Sequence, residues 1–192
     1  MKLLLLLMVT AQTDGPAEEA DAGRRHTFSF ELEPLQFVNR GYSVVAHYAL
    51  SDRLHIGTNV FAQELSEGLA GLAFDFDGDA LELEANQDFG VNLSVRYFLS
   101  SNGEGWVASL PVGYERWSFD DEASGDTTEG FNFWYVSPRV GYLWYFTEHF
   151  YVLGEFSLII PFARSSEPTL SGQKIELRPV IPFPGIGLGF SI

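Results

Sequence analysis

Eight ionisable residues stand in stretches where apolar and polar residues alternate: Glu31, Glu33, Arg96, Glu115, Arg139, Glu155, Glu176 and Arg178. Carboxylates and guanidinium groups held together in a narrow space support two kinds of chemistry. They can pair as charge-assisted hydrogen bonds, which relieves the cost of enclosing them. Alternatively, they can line a polar path for ions. The expected arrangement is the first, a paired network that fills an interior, with Arg139 as its central cation.

Nucleophilic catalysis is poorly served. Cysteine is absent, and the histidines are His26, His47, His55 and His149. All four fall in or near short turns at one end of the strands described below, so no Ser-His pair is expected at the opposite rim. Neither an enzymatic activity nor a cofactor is expected. The segment LAFDFDGDALELEA (72–85) places Asp75, Asp77 and Asp79 at alternate positions, followed by Glu82 and Glu84. That spacing partly matches an oxygen-ligand cation loop, but Gly78 is misplaced for an EF-hand. The same residues read more simply as a hairpin, with Phe74 and Phe76 facing Leu81 and Leu83 across an Asp-Gly turn. A divalent cation at Asp75, Asp77 and Asp79 is the alternative. A second acidic loop, DDEASGDTTEG (120–130), adds Asp120, Asp121, Glu122, Asp126 and Glu129.

The formal net charge is −15, which disfavours nucleic acid and anionic membrane surfaces and favours cations. Next to a phosphate-rich surface such acidic loops need bridging calcium or magnesium, so binding there should be sensitive to chelators. The N-terminus runs from Lys2 through an apolar stretch, Leu3 to Ala11, into small residues. This is the order of a secretory leader, expected over residues 1–22 with cleavage near Ala22. The remainder, 23–192, is expected to form one domain, with extended acidic loops at 65–87 and 120–130.

The elements that would position the charges are strands. Beyond residue 25 no amphipathic helix is evident, and period-2 alternation recurs. DFGVNLSVRYFL (88–99) sets Phe89, Val91, Leu93, Val95, Tyr97 and Leu99 against Asp88, Gly90, Asn92, Ser94 and Arg96. FNFWYVSPRVGYLWYF (131–146) sets Trp134, Val136, Pro138, Val140, Tyr142, Trp144 and Phe146 against Ser137, Arg139, Gly141 and Tyr145. Comparable stretches begin near His26, Tyr42, Leu54, Trp106, Phe150 and Lys174. Short polar turns at 51–53, 100–105 and 147–149 take turns along the chain with connections that are longer on average. This predicts an all-β, eight-stranded antiparallel up-and-down transmembrane barrel, with both ends of the chain on the short-turn side.

In such a barrel the apolar face touches lipid and the polar face lines the lumen. Trp106, Trp134, Trp144, Tyr142 and Phe150 would form aromatic girdles, with Trp134 and Trp144 separated by roughly 25 Å along the membrane normal. A soluble ligand-binding barrel carries the same alternation inside out. The polar faces argue against it, being mostly Gly, Ser, Asn and Thr, with Lys2 and Lys174 the only lysines.

The closing segment, KIELRPVIPFPGIGLGFSI (174–192), alternates to Phe183, slips by one residue at Pro184-Gly185 and resumes as Ile186, Leu188, Phe190 and Ile192. A bulge would restore the register. This ending resembles the C-terminal strand of bacterial outer-membrane proteins, although that signature usually finishes on an aromatic residue and this chain finishes on Ile192. Over residues 26–192 the sequence resembles the small eight-stranded outer-membrane proteins: the outer-membrane protein A transmembrane domain, the outer-membrane protein W type and the opacity-like proteins. The resemblance implies a bacterial outer-membrane location, with outer-membrane lipid and lipopolysaccharide as partners. It transfers no functional residue. The role expected is structural or surface-interacting. The alternative is transport of a small apolar solute through the barrel mouth, with Phe61, Trp117 and Tyr145 lining its pocket. No pattern specifies an oligomeric state.

Overall fold

The computed structural model describes residues 26–65, 67–76, 83–121, 125–165, 168–170 and 172–192. The expected leader (1–22), Asp77, Asp79 and the Asp-Gly turn lie outside the described residues. In chain order the elements are strand β1 (Phe28–Leu32), helix α1 (Pro34–Val38), β2 (Tyr42–Ala49), β3 (Leu54–Leu65), helix α2 (Glu67–Ala73), β4 (Phe74–Phe76) and β5 (Leu83–Phe98). There follow β6 (Gly105–Asp121), β7 (Asp126–Val136), β8 (Arg139–Tyr145), β9 (Phe150–Arg164), β10 (Thr169–Leu170), β11 (Gln173–Leu177) and β12 (Ile181–Ser191).

The main sheet closes on itself. Its order is β12-β1-β2-β3-β5-β6, then β7 and β8 sharing one position, then β9, which pairs back to β12. Every pairing is antiparallel, and the ring has eight strand positions. Pro138 divides β7 from β8 without breaking the wall: the Ser137 amide donates to the Pro111 carbonyl (2.9 Å), and the Pro138 carbonyl accepts from Leu158 (3.1 Å). Proline lacks only the donor, and here none is needed. The short turns gather at one end with Thr27, whose amide donates to the Ile192 carbonyl.

Alternation decides which face is out. Phe28, Phe30, Leu93, Val95, Trp134 and Phe156 are exposed on the outer surface, while Ser29, Glu31, Asn92, Ser94 and Arg96 are buried inside. A barrel in water would need the reverse. Trp106, Trp134, Trp144, Tyr142 and Phe150 all lie on the outer face. Trp106 meets Tyr142 edge-on at 5.6 Å between centroids, and Trp134 lies against Tyr114 at 5.4 Å.

Four expectations are corrected. First, two short helices occur where none was evident; each is too short for helical periodicity to be legible in sequence. Second, among the described residues β4 has no pairing with β5. It pairs with β11, Asp75 opposite Glu176, in a three-stranded sheet, β10-β11-β4, outside the ring. Third, much of the acidic segment 120–130 is strand rather than loop: Asp121 pairs with Asp126 and Trp117 with Phe131, so β6 and β7 run on beyond the wall. Fourth, β12 contains no bulge against β9. It pairs continuously from Ile181–Ile159 to Phe190–Phe150. The apolar slip at Pro184-Gly185 arises because Ile181 faces inward and Ile186 outward, and the interior near Ile181 is itself apolar.

The core follows from that last point. At the long-loop end, Phe61, Leu65, Ala85, Trp117, Phe119, Phe131, Phe133 and Tyr135 project inward and meet Phe74, Ile175 and Leu177 from the outer sheet. Phe74 stands edge-on to Trp117 (5.2 Å) and Phe119 (5.0 Å), so α2, β4 and β11 cap the mouth. A smaller apolar cluster of Phe98, Val107, Leu143, Tyr151 and Leu153 closes the short-turn end. Polar groups occupy the waist between them.

Candidate functional site: the barrel waist and the chamber above it

The waist is built from residues on neighbouring strands whose parity turns them inward. Glu31 on β1 receives Arg96 on β5 in a two-pronged contact, Nη1 to Oε1 and Nη2 to Oε2, the latter at 3.0 Å. The Tyr151 hydroxyl donates to the same carboxylate at 2.7 Å. Around the ring, Arg139 Nη1 donates to Glu155 at 2.6 Å. Glu115 accepts from the Trp117 indole at 3.0 Å. Asn92 links to the Tyr135 hydroxyl (3.2 Å) and Ser43 to Asn59 (3.0 Å). The Glu31–Arg96 and Glu155–Arg139 pairs are tolerable because each neutralises itself at hydrogen-bond distance, whereas Glu115 has the neutral Trp117 indole.

Of the eight ionisable residues expected inside, Glu31, Arg96, Glu115, Arg139 and Glu155 face the interior, and Glu33 lines it at the top of β1. Glu176 and Arg178 do not. They lie with the outer sheet, where Glu176 meets Lys174 at 2.6 Å and Arg178 holds Asp75 at 2.7 Å. The chain leaves the ring at Arg164 and rejoins it at Ile181, so parity counted back from the C-terminus fails there. Asp75, the one described member of the suggested cation site, is thus already engaged by a guanidinium. Among the described residues no group of three or more His, Asp or Glu side chains could hold a metal ion.

Sequence reading missed Tyr135, Tyr151 and Gln36, and it set His47 near the short turns rather than beside Glu31. A usable signal existed for the aromatics, since glycines stand opposite them: Gly113 pairs with Tyr135 and Gly189 with Tyr151. Each ring lies across the bare backbone of its partner. A Cβ at Gly113 would fall 2.6 Å from Tyr135 Cζ. We expect Gly113→Val to displace Tyr135 and to cost about 1–3 kcal/mol of overpacking, read as a lower urea midpoint in vesicles. An unchanged midpoint would mean that the ring does not rest there.

Ser94, His47 and Glu31 fall in the order of a hydrolytic triad. The spacings are long, 3.5 Å from Ser94 Oγ to His47 Nε2 and 3.8 Å from His47 Nδ1 to Glu31. Glu31 is committed to Arg96, and the void the three share is about 20 Å³, room for about one water. No substrate bond reaches Ser94 there.

A closed antiparallel ring, apolar outside and charge-paired within, is built for a hydrocarbon surrounding. This is the fold of a small outer-membrane β-barrel. Among solved structures the chain is similar to CarO2 of Acinetobacter baumannii, with a TM-score of 0.52 and 10% identity over 87% of this chain and 98% of that one. The N-terminal β-barrel domain of Pseudomonas aeruginosa OprF aligns with a TM-score of 0.48 and 14% identity, over 86% of this chain and 95% of that one. At such identity the CarO2 likeness bears on fold alone. No protein-family model matches the chain, and no curated protein matches it significantly.

Above the waist lies a chamber of about 80 Å³. Phe61 and Trp117 line it, whereas Tyr145, expected beside them, stands at the opposite end, stacked on His26 at 5.5 Å. Tyr145 has the inward parity but sits at the short-turn end of β8.

Proposed function

We propose that this chain is an integral protein of the bacterial outer membrane with a structural or surface-interaction role, its barrel closed to ions. The observation that carries this reading is the waist, where Glu31–Arg96 and Glu155–Arg139 meet around a void of about 20 Å³. Displacing such pairs to admit an ion would expose uncompensated charge. The cap and the β6–β7 hairpin form the surface presented to other molecules. Outer-membrane lipid and lipopolysaccharide are the natural neighbours, with calcium or magnesium bridging the acidic segments to phosphate; chelation should weaken that contact.

The test is electrical. Purified protein whose unboiled band on an SDS gel migrates differently from its boiled band should give no stepwise current in planar phospholipid bilayers. Reproducible unitary conductance would overturn the closed waist in favour of a polar path. A single unshifted band from a soluble fraction would overturn the membrane reading itself.

A further inference from the structure

The wall of the barrel is incomplete beside the chamber. β1 ends at Leu32 and pairs with β12 only from Leu188 to Ser191, whereas β12 continues against β9 up to Ile181. Residues 181–187 therefore have no strand partner on that side among the described residues. Helix α1 stands in the vacated place, packed against β12, β2 and β3. Pro34 begins this helix, and the Gln36 carbonyl anchors its end by accepting from Asn39 (3.1 Å) and Gly41 (2.7 Å). The chamber's lining passes from Trp117 and Phe133 inside to Leu35 of α1 and Ile186 of β12, which are 37% and 48% exposed on the outer surface. The external mouth is covered by Phe74 and its neighbours, so the accessible side faces the bilayer.

Two buried groups lack a partner there, the acceptor of Gln36 and the Nε donor of Arg139. Gln36 is 5% exposed, lines the chamber, and its Oε1 is buried without a hydrogen-bond partner. A buried acceptor of this kind favours any occupant that brings a donor. The floor is rich in carboxylates, Glu33, Glu115 and Glu155 against the single guanidinium of Arg139, already bonded to Glu155. Glu155 balances the charge of Arg139, so the chamber offers no net positive charge to an anionic head. At about 80 Å³ the chamber is smaller than the ~150 Å³ apolar cavity that accepts benzene. It admits a small head group and a few methylenes, and anything longer must leave through the wall.

We propose that the chamber binds the donor head of a single-chain amphiphile, a hydroxyl or amine donating to Gln36 Oε1, with its alkyl chain passing between α1 and β12 into the surrounding hydrocarbon. This rests on the barrel spanning a bilayer and is independent of whether the waist conducts.

The experiment uses the full protein in phosphatidylcholine nanodiscs, with the heat-dependent gel shift verifying the barrel. Decanol, decylamine and decanoic acid, each fluorinated beside the head group, are titrated and followed by fluorine NMR. The alcohol and the amine should give a bound resonance absent from empty nanodiscs, and the acid should bind at least tenfold more weakly. Gln36→Leu should weaken the alcohol about tenfold. The proposal is overturned if the verified barrel gives no bound resonance, if the acid binds as tightly as the alcohol, or if folded Gln36→Leu retains full affinity. Where Gln36→Leu does not fold, the comparison of acid with alcohol on the unaltered chain decides. A protein that shows no gel shift and does not enter the discs would fail on the membrane reading instead.

Discussion

Arg96→Ala lowers the stability of the folded barrel by about 3–5 kcal/mol, the cost of leaving a buried charge without its partner. Glu31 and Arg96 have side chains 3% and 6% exposed, and Arg96 supplies both guanidinium prongs to the carboxylate. Without Arg96, Glu31 keeps the Tyr151 hydroxyl and a distant His47, too little for an ionised group far from water. Urea unfolding in phospholipid vesicles, followed by tryptophan fluorescence, should show a lower midpoint with an unchanged slope. Replacing both partners with leucine should recover most of the loss, because the pair compensates its own desolvation and contributes little net stability. Should the single variant cost less than about 1 kcal/mol, the range of exposed pairs, the waist would have to be hydrated.

Leu93→Arg has the second large effect and tests the orientation of the wall. Leu93 is 70% exposed on the outer face of β5, between Thr58 of β3 and Val112 of β6. On a lipid-facing position near mid-height an arginine costs about 2–4 kcal/mol. On a water-facing surface the same change would fall within about 0.5 kcal/mol of neutral. Ser101→Arg in the short turn 100–104 is the control and should be neutral in either setting. The difference between the two variants in the same vesicle titration measures how dry the outer face is. If Leu93→Arg is also neutral, the exterior is not in hydrocarbon.

How much could be read in advance varies with the residue. The inward direction of Arg96 and Arg139 was legible, because each stands among small polar residues while its neighbours on both sides are apolar. The inward direction of Phe131, Phe133 and Ile181 was not. Apolar residues fill the interior there while the outer face mixes Asn132 with Trp134, and alternation assigns a side only where the apolar face is the outer one throughout. The same ambiguity made the parity slip at Pro184-Gly185 look like a bulge. Gln36 gave no signal at all, since its importance depends on a wall position that β1 vacates.

The sequence by itself determined the periodicity, the eight strand positions, the short-turn end and the outward face wherever a strand's two faces differ in polarity, since all of these depend on neighbours within a few residues. The tertiary structure decided which inward groups meet. Glu31 and Arg96 are 65 residues apart and Tyr151 lies 120 from Glu31, and they are brought together by strand register around the closed ring. That register is a property of the whole circuit: a shift of one residue in any pairing turns a strand's other face inward. The cap, the shortened β1 and the chamber likewise depend on where distant segments rejoin the wall, which no local pattern encodes.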